Sequence, residues 1–66
     1  MKVFLNGEII ERDEGSTLAA LLETLGIPRK GVAVERNLEI VPRSAIEQTQ
    51  LAEGDRIEIV QFVGGG

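Results

Sequence analysis

Ser16-Thr17-Leu18-Ala19-Ala20-Leu21-Leu22-Glu23-Thr24-Leu25-Gly26-Ile27-Pro28 is the stretch on which the fold turns. Leu18, Leu21, Leu22 and Leu25 recur at i, i+3, i+4 and i+7, which draws one apolar stripe along a short helix. Ser16 offers a hydroxyl suited to the N-cap, with Asp13 and Glu14 just upstream at the positive end of the helix dipole. Gly26 supplies the left-handed residue that ends a helix, and Pro28 bars continuation. The spacing predicts a helix over 17–25 packed through all four leucines.

Toward the N-terminus, Val3 and Leu5 alternate with Lys2 and Asn6, and Asn6-Gly7 is the signal of a tight hairpin whose two central residues take positive φ. A second strand follows at about 8–12. Its Ile9 and Ile10 are adjacent, so one alone can face the core, and Ile10 is assigned there. Toward the C-terminus, residues 32–36 and 39–41 read as a strand pair around Asn37 that stops at Pro42. Residues 44–48 hold one helical turn. Glu53-Gly54-Asp55 is a turn leading into a last strand at 56–63, where Ile57 and Ile59 alternate with Arg56 and Glu58. The order is hairpin, helix, two short strands, final strand, with no internal repeat. A right-handed crossover through the helix lays the final strand parallel to the first. The expected fold is therefore α+β, a β-grasp with one main helix on a mixed sheet of about four to five strands. It occupies residues 1–63, followed by a flexible glycine tail at 64–66.

Composition narrows the chemistry. Sixty-six residues make one thin domain with an aliphatic core, since Phe4 and Phe62 are the only aromatics. The chain has no cysteine and no histidine. That removes disulfides, thiolate nucleophiles, the commonest general base and the commonest metal ligands. A net charge of −4 argues against nucleic acid, which asks for a basic stripe. The N-terminal apolar run is too short for a signal peptide and nothing has the length of a membrane span, so a cytoplasmic protein is expected. No serine sits in a nucleophile elbow, no Gly-rich phosphate loop occurs at a strand–helix junction, and the carboxylates read as solvated strand faces or turns. An enzyme is not expected, and no catalytic or metal-binding residue is assigned.

What remains is Gly64-Gly65-Gly66. A glycine run at a chain end is ordinarily a frayed terminus. Here it comes straight off an apolar strand, and a tail without side chains can enter a narrow channel and present the Gly66 carboxylate there. If Ile57 and Ile59 face inward, Val60 and Phe62 face outward. Phe4 joins them from the neighbouring strand by the same parity. Phe4, Val60 and Phe62 are the candidate partner-docking residues beside the tail.

With these residues in place the chain resembles the sulfur carrier proteins of thiamine (thiazole) biosynthesis, the ThiS type of the ubiquitin-like family, nearly end to end. The resemblance is carried by Leu5-Asn6-Gly7, the helix from Thr17-Leu18 to Leu25, and Val34-Glu35-Arg36-Asn37 with Glu39-Ile40-Val41-Pro42-Arg43. Leu51, Gly54-Asp55 and Ile57 follow, and then Ile59-Val60-Gln61-Phe62-Val63-Gly64-Gly65-Gly66. The final segment is its specific part; hairpin and helix alone would fit any β-grasp protein. The resemblance implies that a ubiquitin-activating-type partner uses ATP and magnesium to adenylate the Gly66 carboxylate. Sulfur from a cysteine desulfurase route then gives a thiocarboxylate, and thiazole synthase takes the sulfur. The carrier would be a protein cosubstrate with no permanently bound cofactor. The family's shared ending is a glycine pair, matched here by Gly65-Gly66, so Gly64 is an extension.

Three other readings are open. The small subunit of molybdopterin synthase has the same fold and tail, although those chains are usually longer. A carrier for tRNA thiolation, or one doubling as a protein modifier, is the second. A plain ubiquitin-like interaction module with inert glycines is the third.

Overall fold

The computed structural model describes residues 1–62; Val63, Gly64, Gly65 and Gly66 lie outside the described residues. The chain runs β1 (Lys2–Leu5), β2 (Glu8–Glu11), α1 (Leu18–Thr24), β3 (Val32–Arg36), β4 (Glu39–Ile40), a 3₁₀ turn (Arg43–Ala45) and β5 (Arg56–Gln61). The strands form one sheet in the order β2-β1-β5-β3-β4. β5 lies parallel to β1 and antiparallel to β3, so the last strand to be made occupies the middle of the sheet. This is the β-grasp arrangement expected from the element order.

The hairpin turn has φ 47° at Asn6 and 87° at Gly7, the positive pair that an Asn-Gly turn supplies without strain. Val3 pairs with Ile10 and Phe4 with Ile9. Val3 and Ile10 face the core, while Ile9 is exposed. The core joins Val3, Val34, Ile57 and Ile59 from the sheet to Leu18, Ala19, Leu21 and Leu22 of α1, with Ile46 and Leu51 closing one side.

Two details of the helix differ from expectation. Thr17, not Ser16, is the N-cap: its Oγ1 accepts from the Ala20 N–H at 3.1 Å. Ser16 instead donates to the Asp13 carbonyl at 2.6 Å. The start shifts because the chain before the helix is held extended against residues 49–51. The Leu51 N–H donates to the Ser16 carbonyl and the Leu18 N–H to the Thr49 carbonyl.

Leu25 is not a core residue. It is the C-cap and is 42% exposed. Gly26, at φ 70°, turns the chain so that its N–H meets the Glu23 carbonyl and the Ile27 N–H meets the Leu22 carbonyl. That pairing is a Schellman motif. It folds Ile27 back against the core, where Ile27 takes the place the fourth leucine was expected to fill. Smaller corrections are that β4 ends at Ile40 rather than 41, and that the turn at Arg43–Ala45 begins one residue before the expected 44–48.

Candidate functional site

α1 covers one face of the sheet and the other is open. Along β5, residues alternate between them: Ile57 and Ile59 are buried, whereas Arg56, Glu58 and Val60 are exposed. Val60 is 54% and Phe62 69% exposed. Ala33 of β3 stands opposite Val60. The Phe62 N–H donates to the Gly31 carbonyl at 2.8 Å, which carries the β3 ladder one residue past the end of β5. Val60, Ala33 and Phe62 thus form one apolar group on the open face, at the end of the strand from which the glycine run follows.

Phe4 does not join that group. It pairs with Arg56, four positions back along β5 from Val60, or roughly 13 Å at the rise of a strand. The Arg56 guanidinium lies over its ring, 5.1 Å from the centroid, and Phe4 is half-buried. Strand parity placed Phe4 on the correct face but could not set its level along β5. Between the two levels Glu58 stands directly opposite Glu35, and neither enters an ion pair among the described residues. Sequence reasoning missed Ala33 and this carboxylate pair, because both depend on the β3–β5 register.

The reading of every carboxylate as solvated fails at Asp55, which is 5% exposed. Its Oδ2 accepts from Arg36 Nε and from the Ala52 N–H, both at 2.8 Å, and its Oδ1 accepts from Asn37 Nδ2 at 3.1 Å. Asn37 Oδ1 in turn accepts from the Arg56 N–H at 3.0 Å. Burial by itself would raise the Asp55 pKa. The hydrogen bonds from Arg36, Ala52 and Asn37, with the Arg36 charge, outweigh it and hold the carboxyl below its ordinary value of 3.8. The network joins the β3–β4 turn to the first residue of β5 and so fixes where the last strand begins. Among the described residues no group of three or more acidic side chains could hold a metal ion, and no helix is long and apolar enough to cross a membrane.

A mixed sheet with its last strand at the centre, one helix across its inner face and an apolar group beside the strand's exit defines the ubiquitin-like β-grasp class. Within that class the sequence pattern of the ThiS family matches residues 3–66, and the chain belongs to that family. It is similar to a sulfur carrier protein ThiS of Bacillus subtilis, 40% identical over 63 residues that cover 94% of this chain and 96% of that one. The crystal structure of a thiamine biosynthesis protein (ThiS) from Geobacter metallireducens superposes with a TM-score of 0.83 at 33% identity, covering all of both chains. A thiazole synthase of Paramagnetospirillum magneticum is 50% identical over all 66 residues. The chain spans only about a fifth of that protein's length, 20%.

Proposed function

We propose that this chain is a cytoplasmic sulfur carrier of thiamine biosynthesis whose working group is the carboxylate of Gly66. The observation that carries the reading is the end-to-end match to relatives named sulfur carrier proteins, with an apolar docking group at the exit of the central strand. A carboxylate has no good leaving group. The Gly66 oxygen attacks the α-phosphorus of ATP in the active site of a ubiquitin-activating-type partner, and pyrophosphate departs with magnesium balancing its charge. A sulfur nucleophile, supplied as a persulfide by a cysteine desulfurase route, then attacks the acyl carbon and AMP leaves. Reductive cleavage of the acyl disulfide by a thiol frees the thiocarboxylate. Transfer of its sulfur to the acceptor, with an oxygen from water or from the acceptor's displaced group taking its place on the acyl carbon, restores the carboxylate. The chain contributes an end group, a reach and a docking face, and acts as a protein cosubstrate rather than an enzyme.

Thiazole synthase is the favoured acceptor over molybdopterin synthase or a tRNA-thiolating system. The support is that a thiazole synthase polypeptide contains a segment 50% identical to this whole chain. A module so similar within the acceptor itself is one whose surface is compatible with it.

The test is intact mass after incubation with ATP, magnesium, cysteine, a reducing thiol, a cysteine desulfurase and a ubiquitin-activating-type enzyme, read as one oxygen replaced by sulfur. Deleting Gly66, or appending one residue after it, is expected to change stability by no more than about 0.5 kcal/mol and to abolish sulfur uptake. Reacting atoms must come within about 3–3.5 Å, and one residue of chain shifts the end by about 3.3–3.6 Å. Unimpaired uptake by the extended protein would sink the reading.

A further inference from the structure

β1 and β5 share a short parallel ladder, Phe4 with Arg56 and Leu5 with Ile57. Its bonds run from the Phe4 N–H to the Asp55 carbonyl at 2.8 Å and from the Asn6 N–H to the Ile57 carbonyl at 2.9 Å. At Asn6 the chain leaves the sheet line, because the hairpin needs positive φ there. β5 continues to Gln61, and the next residue of β1 that would have met Ile59 is missing.

The Asn6 side chain fills that position. Its Oδ1 accepts from the Ile59 N–H at 2.8 Å, and its Nδ2 donates to the Ile59 carbonyl at 3.3 Å. One primary amide meets the donor and the acceptor of one backbone residue, as a neighbouring strand would. Few side chains can do this while holding the turn. Glycine tolerates the positive φ but has no amide, aspartate lacks the donor, and glutamine reaches too far and favours the left-handed region less.

We propose that Asn6 is a positioning residue for the carrier reaction: its carboxamide replaces the lost strand and sets the register of the segment that delivers the chain's end. The reaction part of this inference rests on the carrier reading above; the clamp itself rests on the hydrogen bonds. On the β3 side the exit is held by the Ala33–Val60 pairing and by Phe62 on Gly31. On the β1 side Ile59 is the last residue for which the described chain offers a partner, and Asn6 is that partner. Asn6 touches no reacting atom. It acts through β5, because a slip of one residue would displace the end by about a bond-forming distance.

Asn6→Gly tests this, since it keeps the turn's backbone freedom and deletes the amide; Asn6→Asp keeps the acceptor alone. Amide hydrogen exchange at Ile59 is expected to rise roughly tenfold in Asn6→Gly, with Leu21 and Val34 unchanged, and less in Asn6→Asp. Sulfur uptake at saturating activating enzyme should fall roughly tenfold in Asn6→Gly, a loss in kcat larger than any rise in KM, with partial recovery in Asn6→Asp. Unchanged exchange at Ile59 overturns the clamp whatever the chemistry. Faster exchange with unchanged kcat overturns the positioning role. A wild-type chain that takes up no sulfur overturns the carrier reading and the positioning role with it, while exchange at Ile59 still decides the clamp.

Discussion

Replacing Asp55 by asparagine changes almost no volume and therefore isolates what the carboxylate does. All three of its contacts are donors: Arg36 Nε, the Ala52 N–H and Asn37 Nδ2. An asparagine has one oxygen. With that oxygen in the Oδ2 position it keeps Arg36 and Ala52 but turns an NH₂ toward the Asn37 amide, which cannot flip to accommodate it because its own oxygen holds the Arg56 N–H. With the oxygen in the Oδ1 position two contacts are lost instead of one. The better orientation forfeits one hydrogen bond, about 1 kcal/mol, and the charge assistance on the Arg36 bond, about another. Arg36 is about a third exposed, so solvent holds the total near 2 kcal/mol rather than the 3–5 of a fully buried pair. For a chain this short that is a fall in Tm of roughly 8–16 °C.

The pH dependence supplies the sharper check. The folded pKa of Asp55 lies below its ordinary value, so its stabilisation is complete above the unfolded value and is lost as pH falls through the folded one. The Asp55→Asn variant has no titrating group there and no such dependence. Thermal unfolding followed by circular dichroism should therefore give a wider gap between wild type and Asp55→Asn at neutral pH than in acid, where the Asp55 carboxyl is protonated. The remaining carboxylates titrate in both proteins and cancel in the difference. A gap below about 0.5 kcal/mol at neutral pH, or one that stays constant on acidification, would refute the network as a stabilising element.

Leu22→Ala should lose about 2–5 kcal/mol in urea unfolding, and Leu25→Ala under about 1, because the first fills the core and the second caps the helix in solvent; equal losses would contradict the Schellman ending. Glu58→Gln should stabilise by about 0.2–1 kcal/mol by relieving the directly opposed Glu35, and a lower Tm would mean the pair has a cation partner. Phe62→Asp should leave the melting temperature nearly unchanged and weaken binding to the activating enzyme by about 2 kcal/mol in calorimetry; unimpaired binding would remove Phe62 from the docking face.

Helix, hairpin and strand order were legible because each has a local signature: leucine spacing, Asn-Gly, and alternation at Ile57 and Ile59. The crossover rule then leaves few ways to assemble them. What escaped was set by pairs distant in sequence. Asp55 sits in a Glu-Gly-Asp turn and looks solvated until folding brings Arg36 and Asn37 to it from 19 and 18 residues away. Ser16 reads as the cap in the sequence, and it is contact with Thr49 and Leu51 that moves the cap to Thr17. Leu25 matches the helical stripe, but Gly26 lets Ile27 return and displace it. Phe4 and Val60 share a parity, yet parity carries no information about level along a sheet. Asn6 was legible as a turn residue; its grip on Ile59, 53 positions away, was not.

The place of β5 bears on how such a chain can work through its end. Chain ends ordinarily fray, and a last strand on a sheet edge would be held by one ladder only. β5 is inserted centrally, pairing five residues with β3 but only two with β1. The two flanks therefore run out at different places. Among the described residues, Phe62 is held by a backbone bond to Gly31, whereas Ile59 has a buried side chain and its second flank closed by Asn6. Within 56–59, Ile57 and Ile59 belong to the core. Val60 and Phe62 are exposed and belong to the apolar group on the open face. On the carrier reading this division is the functional one: an anchored half that keeps the register, and an offered half that a partner can grip without unfolding the domain. Stability and delivery are then separable. Substitutions at Ile57 or Ile59 should unfold the protein, while those at Val60 or Phe62 should disable it folded.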